Sequence, residues 1–235
     1  MPIRCPPLVD PARPRGTPDR MGETAAGFAN RREAGRVLAA AMAHHRGAAA
    51  TVVLGLARGG VPVGREVADA LGLPFGAFLV RKLGVPHWPE LALGALATGG
   101  TVVRNEDLIR SQAVTEDELQ EIVEREQSEL RRREAAYGVK EAPELTGRTV
   151  VLVDDGIATG ASMLAAVRAV RAAGATRVVV AVPVASPTAC RLIDDEVDEL
   201  ICVDAPADFR AVGQVYEDFT QTGDDEVRAL LAGRP

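Results

Sequence analysis

Two adjacent carboxylates, Asp154 and Asp155, follow a run of apolar residues and precede a turn of small residues. The apolar run 150–153 is typical of a buried strand, and helical spacing follows over 162–173. A strand, a tight turn and a helix in this order direct several backbone N–H groups toward one point, where a phosphate is stabilised. Two acids would repel that phosphate, so we expect them to bind sugar hydroxyls, a hydrated Mg²⁺ or a developing positive charge.

The stretch 150–162 resembles the 5-phosphoribosyl-1-pyrophosphate (PRPP) motif of type I phosphoribosyltransferases, in which two acids precede an Ala/Asp-Thr-Gly turn and a closing Ser or Thr. The resemblance implies that Asp154 and Asp155 hold the ribose hydroxyls, directly or through water bound to Mg²⁺. It also implies a cradle for the 5′-phosphate, made of Ala158, Thr159, Gly160, Ala161 and Ser162. A P-loop needs Gly-Lys-Ser/Thr, and this turn has no lysine. A dinucleotide motif needs Gly-x-Gly-x-x-Gly, which does not occur in the sequence. An ordinary turn with two surface acids is the alternative.

A second strand, 51–56, leads into Arg58, Gly59 and Gly60. Adjacent glycines let a backbone approach a ligand closely, and a guanidinium group suits phosphate oxygens. By the same resemblance, this loop binds the pyrophosphate of PRPP, and the bond between Ala57 and Arg58 is a candidate cis peptide. A plain glycine turn with a surface arginine is the alternative.

A third strand is predicted over 74–80 and ends at Arg81 and Lys82, which the resemblance places at the pyrophosphate. The stretch 85–105 is rich in Gly and Pro, so we expect a long, weakly structured loop with a candidate short strand over 101–103. Its place in the chain matches the mobile catalytic loop of the family, which closes over PRPP. Trp88 in this loop either covers the site or packs the loop itself.

The segment 204–222 contains three of the eight aromatic residues of the chain. It resembles, loosely, the hood that stacks the base in purine-handling members of the family. That resemblance implies that Phe209 and Val212 contact the base and that Glu217 lies near the metal; aromatic packing of the segment is the alternative. Enzymes acting on 6-oxopurines carry a proton-relaying aspartate where this chain has Ala158, so hypoxanthine and guanine are poor candidate substrates.

The alternation of strands and helices predicts an α/β fold, with a doubly wound, mainly parallel sheet flanked by helices and ligands bound beyond the strand C-termini. Residues 1–18 are expected to form a disordered, proline-rich tail before one domain over 19–235. A helix is predicted over 19–46.

Two further helix features carry predictions. His44 and His45, near the end of the first helix, are expected to be solvated. Thr115 and Glu118 predict a capping box that starts a charged helix ending at Tyr137, which lies across the domain or at a subunit contact.

The composition limits the function classes. A net charge of −6 argues against non-specific nucleic-acid binding, and no apolar run approaches a membrane span of roughly 20 residues. The N-terminus lacks the apolar core of a signal peptide. Cys5, Cys190 and Cys202 are scattered and indicate neither a disulfide framework nor a zinc site. We therefore expect a cytoplasmic homodimer with no nucleic-acid or membrane partner.

The resemblance implies displacement of pyrophosphate from C1 of PRPP by a nitrogenous nucleophile, usually a base, with Mg²⁺ on the leaving group. The acceptor is not identified by the sequence. A PRPP-sensing regulatory module without catalysis is the main alternative, although such modules usually carry a DNA-binding appendage, and no recognition-helix pair is evident before residue 50. A metal-dependent phosphate-ester hydrolase would need further His or Asp ligands beside the acid pair.

Overall fold

The computed structural model describes residues 27–85, 88–139 and 144–233, so the predicted tail 1–18 lies outside the described residues. Within these ranges the helices are α1 (Arg31–Ala41), α2 (Gly60–Leu71), α3 (Glu106–Ser111), α4 (Glu116–Tyr137), α5 (Ala161–Ala172), α6 (Pro187–Asp194) and α7 (Asp224–Leu231). The strands are β1 (Thr51–Leu56), β2 (Phe75–Phe78), β3 (Val80–Val85), β4 (Trp88–Ala97), β5 (Thr101–Arg104), β6 (Thr149–Val153), β7 (Arg177–Val184) and β8 (Glu199–Asp204).

Five strands form a parallel sheet in the order β2-β1-β6-β7-β8. Its strands are rich in valine because both faces are buried. Side chains such as Val150 and Leu152 pack with α5 and α6 on one face, whereas Val151 and Val153 pack with α1 and α2 on the other. The predicted α/β fold with a mainly parallel sheet is confirmed.

The prediction of a weakly structured loop over 85–105 is wrong. The strands β3, β4 and β5 form a second, antiparallel sheet, whose buried residues, among them Leu83, Leu93 and Leu96, pack against α4 and α7. The strand predicted over 74–80 is likewise divided into β2 and β3, which belong to different sheets. Trp88 is 69% exposed at the start of β4. The mobility of this segment stays a prediction.

The N-terminal prediction needs two corrections. Helix α1 begins at Arg31, where the Asn30 side chain accepts hydrogen bonds from the backbone N–H groups of Arg32 and Glu33, so residues 27–30 are not helical. Residues 19–26 of the predicted helix lie outside the described residues. The chain just before it, at Phe28, is extended. His45 is buried, not solvated, because its ring lies against Glu199.

Helix α4 starts with the predicted capping box, in which the Thr115 hydroxyl accepts from the Glu118 backbone N–H and the Glu118 carboxylate accepts from that of Thr115. Its apolar residues Leu119, Ile122 and Leu130 are buried against the second sheet. The helix therefore lies across one face of the domain, as one of the two alternatives predicted. None of the helices in the described ranges has the length and apolar character needed to span a membrane.

Candidate active site

Two glycine-bearing loops meet at the carboxyl edge of the parallel sheet, because β1 and β6 are neighbouring strands. A Cβ on Gly59 would lie 2.1 Å from Oδ2 of Asp155, and one on Gly60 would lie 2.8 Å from Cα of Asp154. No side chain fits in that space. The structure therefore brings together the Arg58 loop and the acid pair, which the sequence placed at the ends of two separate strands.

The acid pair is largely shielded from water, and the side chain of Asp155 is 14% exposed. Burial and the neighbouring Asp155 carboxylate raise the pKa of Asp154 well above its usual range. Burial also raises the pKa of Asp155, although the guanidinium of Arg31 opposes this shift. Oδ1 of Asp154 accepts a hydrogen bond of 2.9 Å from the Asp155 backbone N–H. When both are ionised, the two carboxylates form a concentrated site of negative charge that would favour hydroxyl donors or a cation.

Arg31 is the counterion of this pair, and the sequence reasoning did not identify it as a site residue. Its Nε donates to Oδ2 of Asp155 at 2.7 Å, and Nη1 donates to the Thr220 carbonyl at 2.6 Å. The guanidinium lies 4.0 Å from the centre of the Phe219 ring. No local pattern pointed to this contact, because Arg31 and Asp155 lie 124 positions apart in the chain.

The segment after β8 covers the acid pair and is held by the chain preceding α1. Phe28 pairs with Tyr216, whose hydroxyl donates to the backbone carbonyl of Asp155 at 2.6 Å. Val212 lies against the acidic turn, since a Cβ on Gly156 would approach it to 2.5 Å. Phe209 packs in the same apolar cluster. We call residues 27–30 with 205–222 the roof; both predicted base contacts lie in it.

The predicted phosphate cradle lies at the start of α5. Gly160 adopts a left-handed conformation with φ of 85°, which turns the chain into the helix. Two hydrogen bonds hold this turn in place. The Ser186 hydroxyl donates to the Ala158 carbonyl at 2.6 Å, and the Ile157 N–H donates to the Val184 carbonyl at 2.9 Å. The N–H groups of the first turn of α5 therefore remain directed at the carboxyl edge of the sheet.

The other predicted residues differ in their surroundings. The Ala57–Arg58 peptide bond is cis, as the resemblance implied, and Nη1 of Arg58 lies 3.4 Å from Oδ1 of Asp224. Arg81 and Lys82 lie within β3 of the second sheet, not at the end of a strand of the parallel sheet. Arg81 forms an ion pair of 2.6 Å with Glu126 of α4, so its predicted contact with pyrophosphate would require this pair to open.

Glu217 lies exposed in the roof, where its backbone N–H donates to the Phe28 carbonyl at 2.9 Å. Its predicted place near a metal stays a prediction. A cleft of about 340 Å³ opens beside Arg31 and is lined by Asn30, Pro62 and Asp218, among others. Arg31 is the residue of this lining that also contacts Asp155.

Residues 29–220 match the family model of the phosphoribosyl transferase domain. The chain belongs to this family. Two curated proteins, from two strains of Mycobacterium tuberculosis and provisionally named phosphoribosyl transferases, are each 47% identical over 206 residues. That match covers 87% of this chain and 46% of each relative, so the chain spans about half the length of these curated relatives.

A solved structure supports the same assignment for the fold. The crystal structure of TT1426 from Thermus thermophilus is 45% identical, with a TM-score of 0.81. The likeness covers 88% of this phosphoribosyl transferase family member and 98% of the Thermus chain. The resemblance stated from the acidic motif is thereby confirmed at the level of family and fold.

Proposed function

We propose that the protein transfers the 5-phosphoribosyl group of PRPP to a nitrogenous nucleophile and releases pyrophosphate. One observation carries the proposal: the backbone at Gly59 and Gly60 lies directly against the carboxylates of Asp155 and Asp154, next to the N-terminus of α5. A sugar that carries a phosphate on one side and a pyrophosphate on the other needs these three features within one small space.

Each group of residues has a distinct role in this proposal. The first turn of α5, from Ala158 to Ser162, would bind the 5′-phosphate through backbone N–H groups and the hydroxyls of Thr159 and Ser162. The Arg58 loop would bind the pyrophosphate. Asp154 and Asp155 would accept hydrogen bonds from the ribose hydroxyls.

The acid pair also suits the charge of the transition state. Breaking the bond between C1 and the pyrophosphate oxygen leaves positive charge on the ribose before the bond to nitrogen forms. Two carboxylates in a site screened from water stabilise that charge strongly. Arg31 removes part of their excess charge and so lets both acids remain buried at neutral pH.

The donor set fits Mg²⁺, which prefers carboxylate oxygens and keeps several of its waters. Asp154 and Asp155 would hold the ion, most simply through those waters, since Oδ2 of Asp155 already pairs with Arg31. When bound, Mg²⁺ would neutralise charge on the leaving pyrophosphate. Glu217 is a further proposed ligand, from the roof.

The acceptor is proposed to bind under the roof, near Phe209 and Val212. Because Ala158 offers no proton relay, an acceptor that needs an acid at this position is a poor candidate. The protein is further proposed to act in the cytoplasm as a homodimer, which sedimentation analysis at micromolar concentration would test.

Calorimetric titration with PRPP tests the proposal directly. We expect magnesium-dependent binding in the micromolar range, which Asp155→Asn abolishes while the circular dichroism spectrum is unchanged. Arg32→Gln is the matched control, since this neighbouring arginine is partly exposed and lies 3.8 Å from Glu66. No binding at millimolar PRPP would contradict the proposal.

Release of pyrophosphate on addition of a panel of bases would then separate an enzyme from a PRPP sensor. A sensor would bind PRPP with Mg²⁺ but release no pyrophosphate with any base. Arg58→Ala provides a second check, since it should weaken pyrophosphate binding more than ribose-5-phosphate binding, and equal losses would remove this residue from its proposed role.

A further inference from the structure

A second cluster of polar side chains lies at the opposite, amino-terminal edge of the parallel sheet. His44 and His45 lie in the short 3₁₀ turn Ala43–His45 that follows α1, and Glu199 is the first residue of β8. Arg177 begins the neighbouring strand β7. The acid pair follows the last residue of β6, so the length of the sheet separates this cluster from the candidate active site. Any role of the cluster is therefore separate from phosphoribosyl transfer.

The three side chains converge on one point. Nε2 of His44 lies 2.7 Å from Oε1 of Glu199, and Nε2 of His45 lies 3.1 Å from Oε2 of the same carboxylate. One ligand atom from each residue can be chosen so that all three lie within 4.8 Å of one another. In a tetrahedral zinc site, with bonds of about 2.0–2.1 Å, ligand atoms lie about 3.3 Å apart. Small movements of the two rings would thus accommodate an ion.

The surroundings resemble those of a binding site more than those of a solvated surface. The side chain of His45 is 9% exposed and that of Glu199 is 13% exposed, so both are preorganised by packing. Nη2 of Arg177 donates to Oε2 of Glu199 at 2.9 Å. This contact orients the carboxylate and leaves Oε1 directed toward His44, as an outer partner does for a metal ligand.

A cleft of about 520 Å³ opens on the same cluster and is lined by His44, Asp194, Asp198 and Glu199, among other residues. The cleft leaves room for a water or a small ligand in the remaining coordination position. Two imidazoles and one carboxylate with an open fourth position form a donor set that zinc accepts readily.

We propose that His44, His45 and Glu199 form a binding site for a transition-metal ion of the zinc type. The bound ion would join the 3₁₀ turn after α1 to the start of β8. It would therefore increase the stability of the fold without taking part in PRPP chemistry. The competing explanation is a purely structural contact, in which the two imidazoles only donate hydrogen bonds to Glu199.

Titration of the full chain with Zn²⁺, in excess Mg²⁺, tests the proposal. We expect one equivalent of Zn²⁺ to bind and to raise the melting temperature. The double variant His44→Gln/His45→Gln keeps polar side chains that can reach Glu199 but removes two ligands. Loss of an outer partner already weakens metal sites by roughly 10–100-fold, so we expect the dissociation constant to rise by more than about 100-fold in this variant.

Two controls make the result specific. His87→Gln removes the remaining histidine of the chain, which lies outside the described residues, and should leave zinc binding unchanged. Glu199→Gln should weaken zinc binding as the double variant does. Circular dichroism and magnesium-dependent PRPP binding should be retained in all variants, which separates loss of the metal from loss of the fold or of the proposed function.

Three results would overturn the proposal. These are no zinc binding by the unaltered chain at about 100 µM Zn²⁺, equal zinc binding by the double variant, or loss of zinc binding in His87→Gln alone. A further pair of results would also overturn it: zinc does not change the melting temperature of the unaltered chain, and the double variant is less stable than that chain. The cluster would then be a purely structural contact.

Discussion

Asp155 is contacted from three directions by residues that are distant in the sequence. Arg31 binds its carboxylate, Tyr216 binds its backbone carbonyl, and the backbone of Gly59 lies against Oδ2. Each contact restricts the position of the Asp155 carboxylate. A carboxylate held in place before the substrate binds is preorganised for electrostatic stabilisation. At the level of residues, the most informative changes are therefore those that alter charge without altering shape.

Arg31→Gln should raise the pKa of Asp155 further, because the guanidinium is the main group that opposes the effect of burial. The ionised pair would then form only at higher pH, so the acidic limb of the pH profile for PRPP affinity should move to higher pH. Leaving a buried carboxylate unpaired should also cost about 3 kcal/mol of unfolding free energy.

Titrations of PRPP across the pH range, with Arg31→Lys as the charge-preserving variant, check this prediction. In the Arg31→Lys variant, the acidic limb of the pH profile for PRPP affinity should lie closer to that of the unaltered protein than it does in Arg31→Gln. If Arg31→Gln and Arg32→Gln have the same profile, the assignment of Arg31 as counterion is wrong.

Asp154→Asn should stabilise the folded protein at neutral pH while impairing PRPP binding. The pKa of Asp154 is raised on folding, so the folded state binds more protons than the unfolded state above the unfolded value of about 4. Stability is therefore lost as pH rises, and the amide avoids that loss. A gain of about 1 kcal/mol would raise the melting temperature by roughly 2–4 °C. Thermal unfolding at pH 4 and pH 8 is the measurement, and a gain that is larger at pH 4 would contradict it.

At the level of elements, the site depends on how closely β1 and β6 approach through their loops. Helix α2 begins at Gly60, and that glycine touches the backbone of β6, since a Cβ there would lie 2.4 Å from the Val153 carbonyl oxygen. Both atoms of this contact belong to the backbone. An added side chain would therefore displace the main chain of β6 or of α2, and not only a flexible side chain.

Gly60→Ala should destabilise the fold by about 1–3 kcal/mol, the usual cost of overpacking, and should weaken PRPP binding by separating the two loops. Urea denaturation and calorimetry measure the two effects. Gly223→Ala is the matched control, since nothing lies within 4 Å of the added Cβ there, and we expect a change of at most about 0.5 kcal/mol. Similar losses in both variants would mean that the close contact is unimportant.

The sequence predicted those elements whose burial is visible locally. The apolar run of β1 predicted a strand with the observed bounds, and the glycines after it predicted the loop at Arg58. The second sheet was missed because β4 contains proline, glycine and three alanines, and because the strands of that sheet are buried by partners far along the chain. The composition of a short stretch of sequence does not show which distant elements will bury a strand.

The parts of the candidate site that depend on local sequence were also predictable. The acid pair, the cradle and the Arg58 loop each follow a strand, so local patterns placed them at one edge of the sheet. Arg31 and the contact of His45 with Glu199 were not predicted, because each joins residues more than 120 positions apart. A single sequence contains no signal for which charged residue meets which partner over that distance.

At the level of the whole molecule, ligand binding should be visible as stability. A ligand that binds only the folded state raises the free energy of unfolding by mass action, by about 2.7 kcal/mol at 100 times its dissociation constant. PRPP with Mg²⁺ should therefore raise the melting temperature by roughly 5–10 °C. Thermal unfolding with and without PRPP measures this shift, and Asp155→Asn should show none. An equal shift in that variant would place PRPP elsewhere.

The roof described above joins residues 27–30 to residues near 216, and this has a consequence for biosynthesis. While the chain is being made on the ribosome, β1, β6 and β7 can pair before the partner of Phe28 has been synthesised. A nascent chain that stops short of Tyr216 would therefore contain the acid pair and the cradle but would lack the hydrogen bond from Tyr216 to Asp155. Such a chain should not retain PRPP, so the ability to bind substrate should arise only as the last part of the domain leaves the ribosome.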